Sequence, residues 1–269
     1  MKFSLKGILA IAAAASALVL SGCGEKEVDT SKIKVGVMAG AEAQVAEVAA
    51  KVAKEKFGLD VELVTFTDYV TPNAALDDGS IDINAFQHKP YLDQQVTDRG
   101  YKLTIAGNTF VYPIAGYSKQ VKSVDEIQDG ARIAVPNDPT NLGRSLLLLE
   151  QQGLLKLREN VGLLATVRDI VENPKNITIV ELDAAQLPRS LDDVALSVIN
   201  TTYASSIDLT PQKDGVFVED KESPYVNLIV AREDNVKAEN VQNFVKSYQT
   251  EEVYTAASDI FKGGVVKGW

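Results

Sequence analysis

Two long extended runs, each associated with a proline, constrain this chain most. Tyr101–Tyr117 reads YKLTIAGNTFVYPIAGY and is broken by Gly107 and Pro113; Tyr225–Arg232 reads YVNLIVAR and follows Pro224. Proline has no N–H to give a sheet ladder, so a proline inside a β-like run marks a chain leaving one sheet and entering another. Two such runs predict two lobes joined by two interlobe crossings, near Thr109–Tyr117 and near Pro224–Arg232.

The segments between the crossings read as α/β. Ile33–Ala39 is a strand of short apolar residues. Glu42–Phe57 repeats Val45, Val48, Ala49 and Val52 at helical spacing, and Gly58 ends it. Val61–Phe66 alternates like a strand, which completes a strand–helix–strand unit with a parallel pair and a right-handed crossover. Further along, Ala74–Asp77 and Leu92–Arg99 read as helices, Ile81–Asn84 as a strand and Val121–Asp129 as a small helix. Ala131–Val135 opens a second strand set with Ile177–Leu182 and Val194–Ile199, and Leu154–Val171 is expected to be helical in part. Ala184–Leu191 reads as a short helix kinked by Pro188, and Pro211–Asp214 as a turn. Lys237–Gln249 and Glu251–Phe261 are amphipathic helices. The fold class expected is α/β, two lobes with two interlobe crossings. Lobe one is expected over 33–110 and 231–269, and lobe two over 111–230 including the crossings.

The chain ahead of residue 33 carries a different signal. Lys2 and Lys6 precede Ile8–Leu20, an apolar run with six alanines that is shorter than the roughly 20 residues of a membrane span. Leu20-Ser21-Gly22-Cys23 follows, then the polar GEKEVDTSK. This predicts a signal peptide over 1–22 and a lipidated tether over 23–32, with Cys23 as the lipidation site in a run that resembles a bacterial lipobox. Cys23 is the only cysteine of the 269 residues, so no internal disulfide and no multi-cysteine metal site can form. The whole chain has a formal charge of -10, which argues against a nucleic-acid partner.

The same sparse inventory weighs against catalysis. The single histidine is His88, and there is no G-x-S-x-G, P-loop or H-E-x-x-H motif. No cofactor and no metal is expected. A binding role fits better. Tyr69, Phe86, His88 and Tyr91 cluster near strand ends of lobe one and could line an apolar pocket; alternatively, Phe86 and Tyr91 are core residues of a short helix. In Ala134–Arg144, AVPNDPTNLGR, a strand end turns into a helix with Thr140 or Asn141 as N-cap. Arg144 then falls in the first turn, where the helix field is already positive. It either meets an anion there, with Asn141 in support, or reaches back to a nearby Asp or Glu or into solvent. Asn200 ends a buried strand. Asn227 interrupts an apolar crossing, where an unpaired amide is costly, so it satisfies backbone or meets a ligand amine.

Longer motifs carry a family resemblance over essentially the whole chain. They are the lipobox at Cys23, KVGVMAGAEAQVAEVA, NAFQHKPYLDQ, GNTFVYPIAGYS, VPNDPTNLGRSLLLL, AQLPRSLDD, VINTTYA, GVFVEDKESPYVNLIVARED and the KGW end. Together they resemble the NlpA-type lipoproteins. The resemblance implies a two-lobe periplasmic-binding-protein-like fold and a non-enzymatic protein, lipid-anchored to a membrane of the bacterial cell envelope and facing the periplasm. It further implies that the protein binds methionine and delivers it to an ATP-driven (ABC-type) importer, with a cognate permease and ATPase complex as partner. Carried onto these residues, Tyr69, Phe86, His88 and Tyr91 would surround the methionine side chain. Arg144 would hold the α-carboxylate, and Asn141, Asn200 and Asn227 would complete the polar end. The alternatives are a binding protein for another amino acid or a dipeptide, or a periplasmic enzyme or adhesion lipoprotein on the same scaffold.

Overall fold

The structure, a computed structural model, describes residues 29–220 and 223–269. The expected signal peptide and Cys23 lie outside the described residues. Among those residues the chain forms a six-stranded sheet, a five-stranded sheet and a small two-stranded ribbon. The six-stranded sheet runs Val266–Lys267, Leu103–Val111, Val226–Arg232, Ile83–His88, Lys32–Met38, Asp60–Phe66. The five-stranded sheet runs Phe217–Val218, Ala115–Tyr117, Leu196–Ile199, Arg132–Pro136, Thr178–Leu182. This is the two-lobe α/β architecture expected from the sequence.

Both crossings follow from chain direction. Lys32–Met38 pairs in parallel with Asp60–Phe66 and with Ile83–His88, as the strand–helix–strand reading requires. The first extended run then divides. Leu103–Val111 stays in the first sheet, and Ala115–Tyr117 enters the second, with Pro113 in the gap between them. The chain returns from lobe two in the opposite sense, so Val226–Arg232 lies antiparallel between Ile83–His88 and Leu103–Val111. That pairing corrects the expected range of lobe two, 111–230, because the whole return strand is bonded on both sides within lobe one. The terminal Val266–Lys267 adds an edge strand beside Leu103–Val111 that sequence pattern did not show.

Each lobe has its own core. In lobe one the Ala41–Phe57 helix buries Val45, Ala49 and Val52 against Val35, Val37, Ile229, Phe244 and Val253. Gly58 closes that helix at φ 67°, a left-handed value that costs a residue with a Cβ more than glycine. In lobe two Leu146 and Leu149 of the Pro139–Gln151 helix pack on Ile133, Val135, Leu196 and Val198. Burying each such side chain contributes about 1.5–3 kcal/mol. A third cluster belongs to neither lobe alone. Met38, Phe86 and Tyr91 from lobe one meet Tyr117, Ala134, Leu187, Ile199 and Tyr203 from lobe two. This apolar seam holds the inner faces of the lobes together beside the cleft.

Several local expectations change. Val121–Asp129 contains only a 3-10 turn at Val124–Glu126. Leu154–Val171 forms 3-10 turns and the first part of a two-stranded ribbon, Lys156–Leu157 against Ile170–Glu172, because no apolar period in it lasts long enough to bury a helix. Pro188 begins a short helix, Leu187–Ser190, rather than kinking one, since its missing N–H costs nothing in a first turn. Pro211–Asp214 closes into a helical turn for the same reason.

Candidate functional site

The site assembles from strands and helices of both lobes. In lobe one, Ile83–His88 runs straight into the Lys89–Arg99 helix, so Phe86, Gln87, His88 and Tyr91 share one strand-to-helix corner. His88 caps that helix: its Nδ1 accepts the Tyr91 backbone N–H at 3.2 Å. The helix therefore begins before the expected Leu92, and Pro90 sits within its first turn. Tyr69 closes the wall. Its ring centroid lies 5.9 Å from Phe86 and 6.3 Å from Tyr91, and the Tyr91 hydroxyl donates to the Tyr69 carbonyl at 2.7 Å. Phe86 and Tyr91 meet edge to face at 6.0 Å, a favoured geometry for aromatic pairs.

In lobe two the helix after Arg132–Pro136 is capped by Asp138, not by Thr140 or Asn141. The Asp138 carboxylate accepts the Asn141 N–H at 2.9 Å, and Pro139 occupies the first helical turn. Arg144 therefore sits in the second turn, clear of the strongest positive field. The sequence argument for an anion at the helix start loses its premise, and the other reading of Arg144 is realised. Its Nε donates to Glu219 Oε1 at 2.7 Å and its Nη2 to Glu219 Oε2, so the guanidinium fork grips a protein carboxylate. Nη2 also donates to the Tyr112 carbonyl at 3.0 Å, and the guanidinium lies 4.3 Å from the Tyr225 ring centroid. Arg144 is only 4% exposed, a burial that an unpaired guanidinium would not tolerate. Gly143 permits the approach behind it, because a Cβ there would stand 2.2 Å from the Leu163 carbonyl oxygen.

Asn141 and His88 join the two walls. His88 Nε2 lies 3.2 Å from Asn141 Oδ1. Because His88 Nδ1 accepts a backbone N–H, the ring's proton is on Nε2, which donates to Asn141. Burial, reinforced by the nearby Arg144 charge, pushes the His88 pKa down to about 3, so the ring is neutral at ordinary pH. Asn141 Oδ1 also accepts from Asn200 Nδ2 at 3.0 Å, while its own Nδ2 donates to both Asp138 oxygens. That chain leaves Asn200 Oδ1 buried with no hydrogen-bond partner. An acceptor held that way is costly unless a donor reaches it. Asn227 sits where the return strand slips register, and its amide donates to the Phe86 carbonyl at 3.1 Å.

All eight side chains singled out from sequence, Tyr69, Phe86, His88, Tyr91, Asn141, Arg144, Asn200 and Asn227, line one pocket between the lobes. Gln87, Tyr112, Thr201 and Thr202 complete the lining and were not anticipated. Gln87 is fixed from behind by a buried amide network with Asn73 and Asn84. Glu219 was also missed. It lies in the charged run EDKE, where nothing local distinguishes a buried acid from solvated ones. Among the described residues no group of three His, Cys, Asp or Glu side chains could hold a metal ion, and no helix is long and apolar enough to cross a membrane.

Known proteins resemble this chain in sequence and fold. The family model described as NlpA lipoprotein matches residues 33–269. The chain is 84% identical, over the full length of both, to a Vibrio cholerae protein named "Probable D-methionine-binding lipoprotein MetQ". A crystal structure of "the Methionine Binding Protein, MetQ" superposes with a TM-score of 0.89 at 73% identity, covering 90% of this chain and 99% of the other. A nutrient-binding protein from Burkholderia cenocepacia, solved bound to methionine, gives 0.86 at 51% identity, covering 88% of this chain and 100% of its own. A match that spans both lobes and every pocket residue leaves a single assignment: the chain belongs to the NlpA lipoprotein family.

Proposed function

We propose that this protein binds methionine between its lobes and delivers it to an ABC-type importer as that importer's substrate-binding lipoprotein, without catalysing a reaction. The observation that carries the reading is the division of the pocket. One end is a dry aromatic wall. The other holds a buried arginine and, beside it, a buried amide oxygen with no partner. A free amino acid with an apolar side chain matches both ends at once. Its ammonium supplies the donor that Asn200 Oδ1 lacks. Its carboxylate meets Arg144 through Nη1, since Nε and Nη2 are taken by Glu219 and Tyr112. This refines the role expected for Arg144: the bidentate face is internal, and a ligand receives a single nitrogen.

Asn227 is held by the Phe86 carbonyl, and its amide oxygen is the atom left for the ligand's amine. The thioether lies among Tyr69, Phe86, His88 and Tyr91, where sulfur packs well against ring edges. The neutral His88 suits that wall, because a charged imidazolium there would repel Arg144. Relatives named for methionine, and one solved bound to it, support the choice of side chain. The partners proposed are the cognate permease and ATPase of the importer, approached from a lipid anchor at Cys23 on the periplasmic side of a membrane.

Mass spectrometry under native conditions on freshly purified protein, followed by calorimetric titration of stripped protein, tests the assignment. The expected result is methionine carried through purification and saturable binding of L- or D-methionine. Leucine and norleucine should bind more weakly by about 1–3 kcal/mol. Tighter binding of a different amino acid or of a dipeptide would overturn the choice of ligand.

A further inference from the structure

One buried acid takes no part in the pocket. Glu42 lies in the first turn of the Ala41–Phe57 helix of lobe one and is 3% exposed. Its Oε1 accepts the hydroxyl of Thr202, which belongs to the Thr201–Ser205 helix of lobe two. The bond therefore spans the cleft. Thr202 also lines the ligand pocket, alongside Tyr69 of the aromatic wall. A lone carboxyl facing another lobe is an expensive group to bury, and the hydroxyl that compensates it is supplied only when the lobes meet.

We propose that the Glu42 carboxyl and the Thr202 hydroxyl form an interlobe latch, a pair of positioning residues that holds the lobes together over bound ligand and slows its release. The assignment of ligand rests on the function proposed above; the latch itself rests on the bond between the two helices. Opening the lobes parts the pair and returns Glu42 to water. Closure in turn desolvates it, and burial pushes its pKa up to about 7 with only Thr202 opposing the shift. The other titratable groups that face it are the phenols of Tyr69, Tyr112, Tyr203 and Tyr248, each held protonated by burial, so Glu42 is the group that changes charge. The sign follows. The closed form binds a proton that the open form releases once pH exceeds the ordinary carboxylate range. Closure, and with it ligand retention, strengthens as pH falls through 7 toward 5.

The test compares the wild-type protein with Glu42→Gln, Glu42→Ala, Thr202→Val, Thr202→Ser and the Glu42→Ala/Thr202→Val double variant in stopped-flow methionine release. Loss of the bond in Thr202→Val should raise the release rate by up to about tenfold, the scale of one hydrogen bond between neutral groups. Thr202→Ser, which keeps the hydroxyl, should release more slowly than Thr202→Val. Wild-type release should slow between pH 8 and pH 5, whereas Glu42→Gln should show a flat profile over that range. The double variant should be little faster than the faster single variant. Fully additive effects would mean that Thr202 acts through the ligand alone and would overturn the latch, as would a Glu42→Gln profile that follows wild type. Should the protein not bind methionine, the function assignment fails separately. The latch is then read without ligand, by hydrogen exchange over residues 41–57 and 201–205. Thr202→Val should speed exchange in both segments, and unchanged exchange would overturn the latch.

Discussion

Four of the pocket's side chains, Phe86, Gln87, His88 and Tyr91, come from six consecutive residues at one strand-to-helix corner, whereas the polar end is gathered from across the chain. Asn141 and Arg144 share a helix, but the partners that orient them are Asp138, His88, Asn200, Tyr112 and Glu219. The two ends fail differently for that reason. Removing one ring from the aromatic wall leaves its neighbours packed against each other. Removing one member of the polar end strands a partner in a dry site. A lost contact to a charged partner there costs more than the contact itself contributed.

Arg144→Ala is the largest test of that difference. It removes the cation facing the ligand and leaves the Glu219 carboxylate, 11% exposed in its side chain, without its guanidinium. Ligand affinity should fall by about 2–5 kcal/mol, with a loss of folding stability alongside it. Phe86→Leu, a ring-to-aliphatic change in the wall, should cost less than that in affinity. Calorimetry and urea unfolding on both variants measure the two losses. Near-native affinity in Arg144→Ala would show that Glu219 and Tyr112, not a ligand, account for the arginine.

Asn227→Ala sharpens the comparison at the junction of the two ends. The amide is bonded to the Phe86 carbonyl, so its removal should weaken binding by about 1–3 kcal/mol while the return strand keeps its pairing on both sides. Unchanged affinity with only a lowered melting temperature would make Asn227 a strand residue rather than part of the polar end.

The contrast between the two ends also decides what could be read from sequence. The aromatic corner was legible because strand, cap and helix are consecutive, and their residue types fit such a corner. The two crossings were legible through Pro113, which interrupts an extended run that would otherwise read as a single strand, and Pro224, which opens the second run. The polar end was only half legible. Asn141, Arg144, Asn200 and Asn227 stand out as polar residues in apolar or capped positions, but their partners do not. Glu219 is 75 residues from Arg144, and the three residues that follow it are all charged. Thr202 lies 160 residues from Glu42. A pairing across such separations leaves no periodicity to detect, and the N-cap assignment went wrong for a related reason: Asp138 and Thr140 have equally good capping chemistry until Pro139 takes the first helical position.

His88 stands where the two ends meet, and its titration tests whether the wall is as dry as its packing implies. Its native pKa, about 3, lies below the ordinary histidine value near 6.5. Between those values the unfolded chain binds a proton that the native chain refuses, so His88 contributes stability above pH 6.5 that is lost as pH falls toward 3. Replacing it with asparagine keeps an acceptor for the Tyr91 N–H and a donor for Asn141, but removes the titration. Every other group, Glu42 included, is common to both proteins and drops out of the difference. The stability of wild type relative to His88→Asn, measured by urea unfolding at pH 7.5, 6.5, 5.5 and 4.5 (the pH steps of the assay), should fall by about 1.4 kcal/mol per pH unit below 6.5. A constant difference would mean that the native ring accepts a proton as readily as the unfolded one. The aromatic wall would then admit water and charge beside Arg144, and the two ends of the pocket would not be divided as their packing indicates.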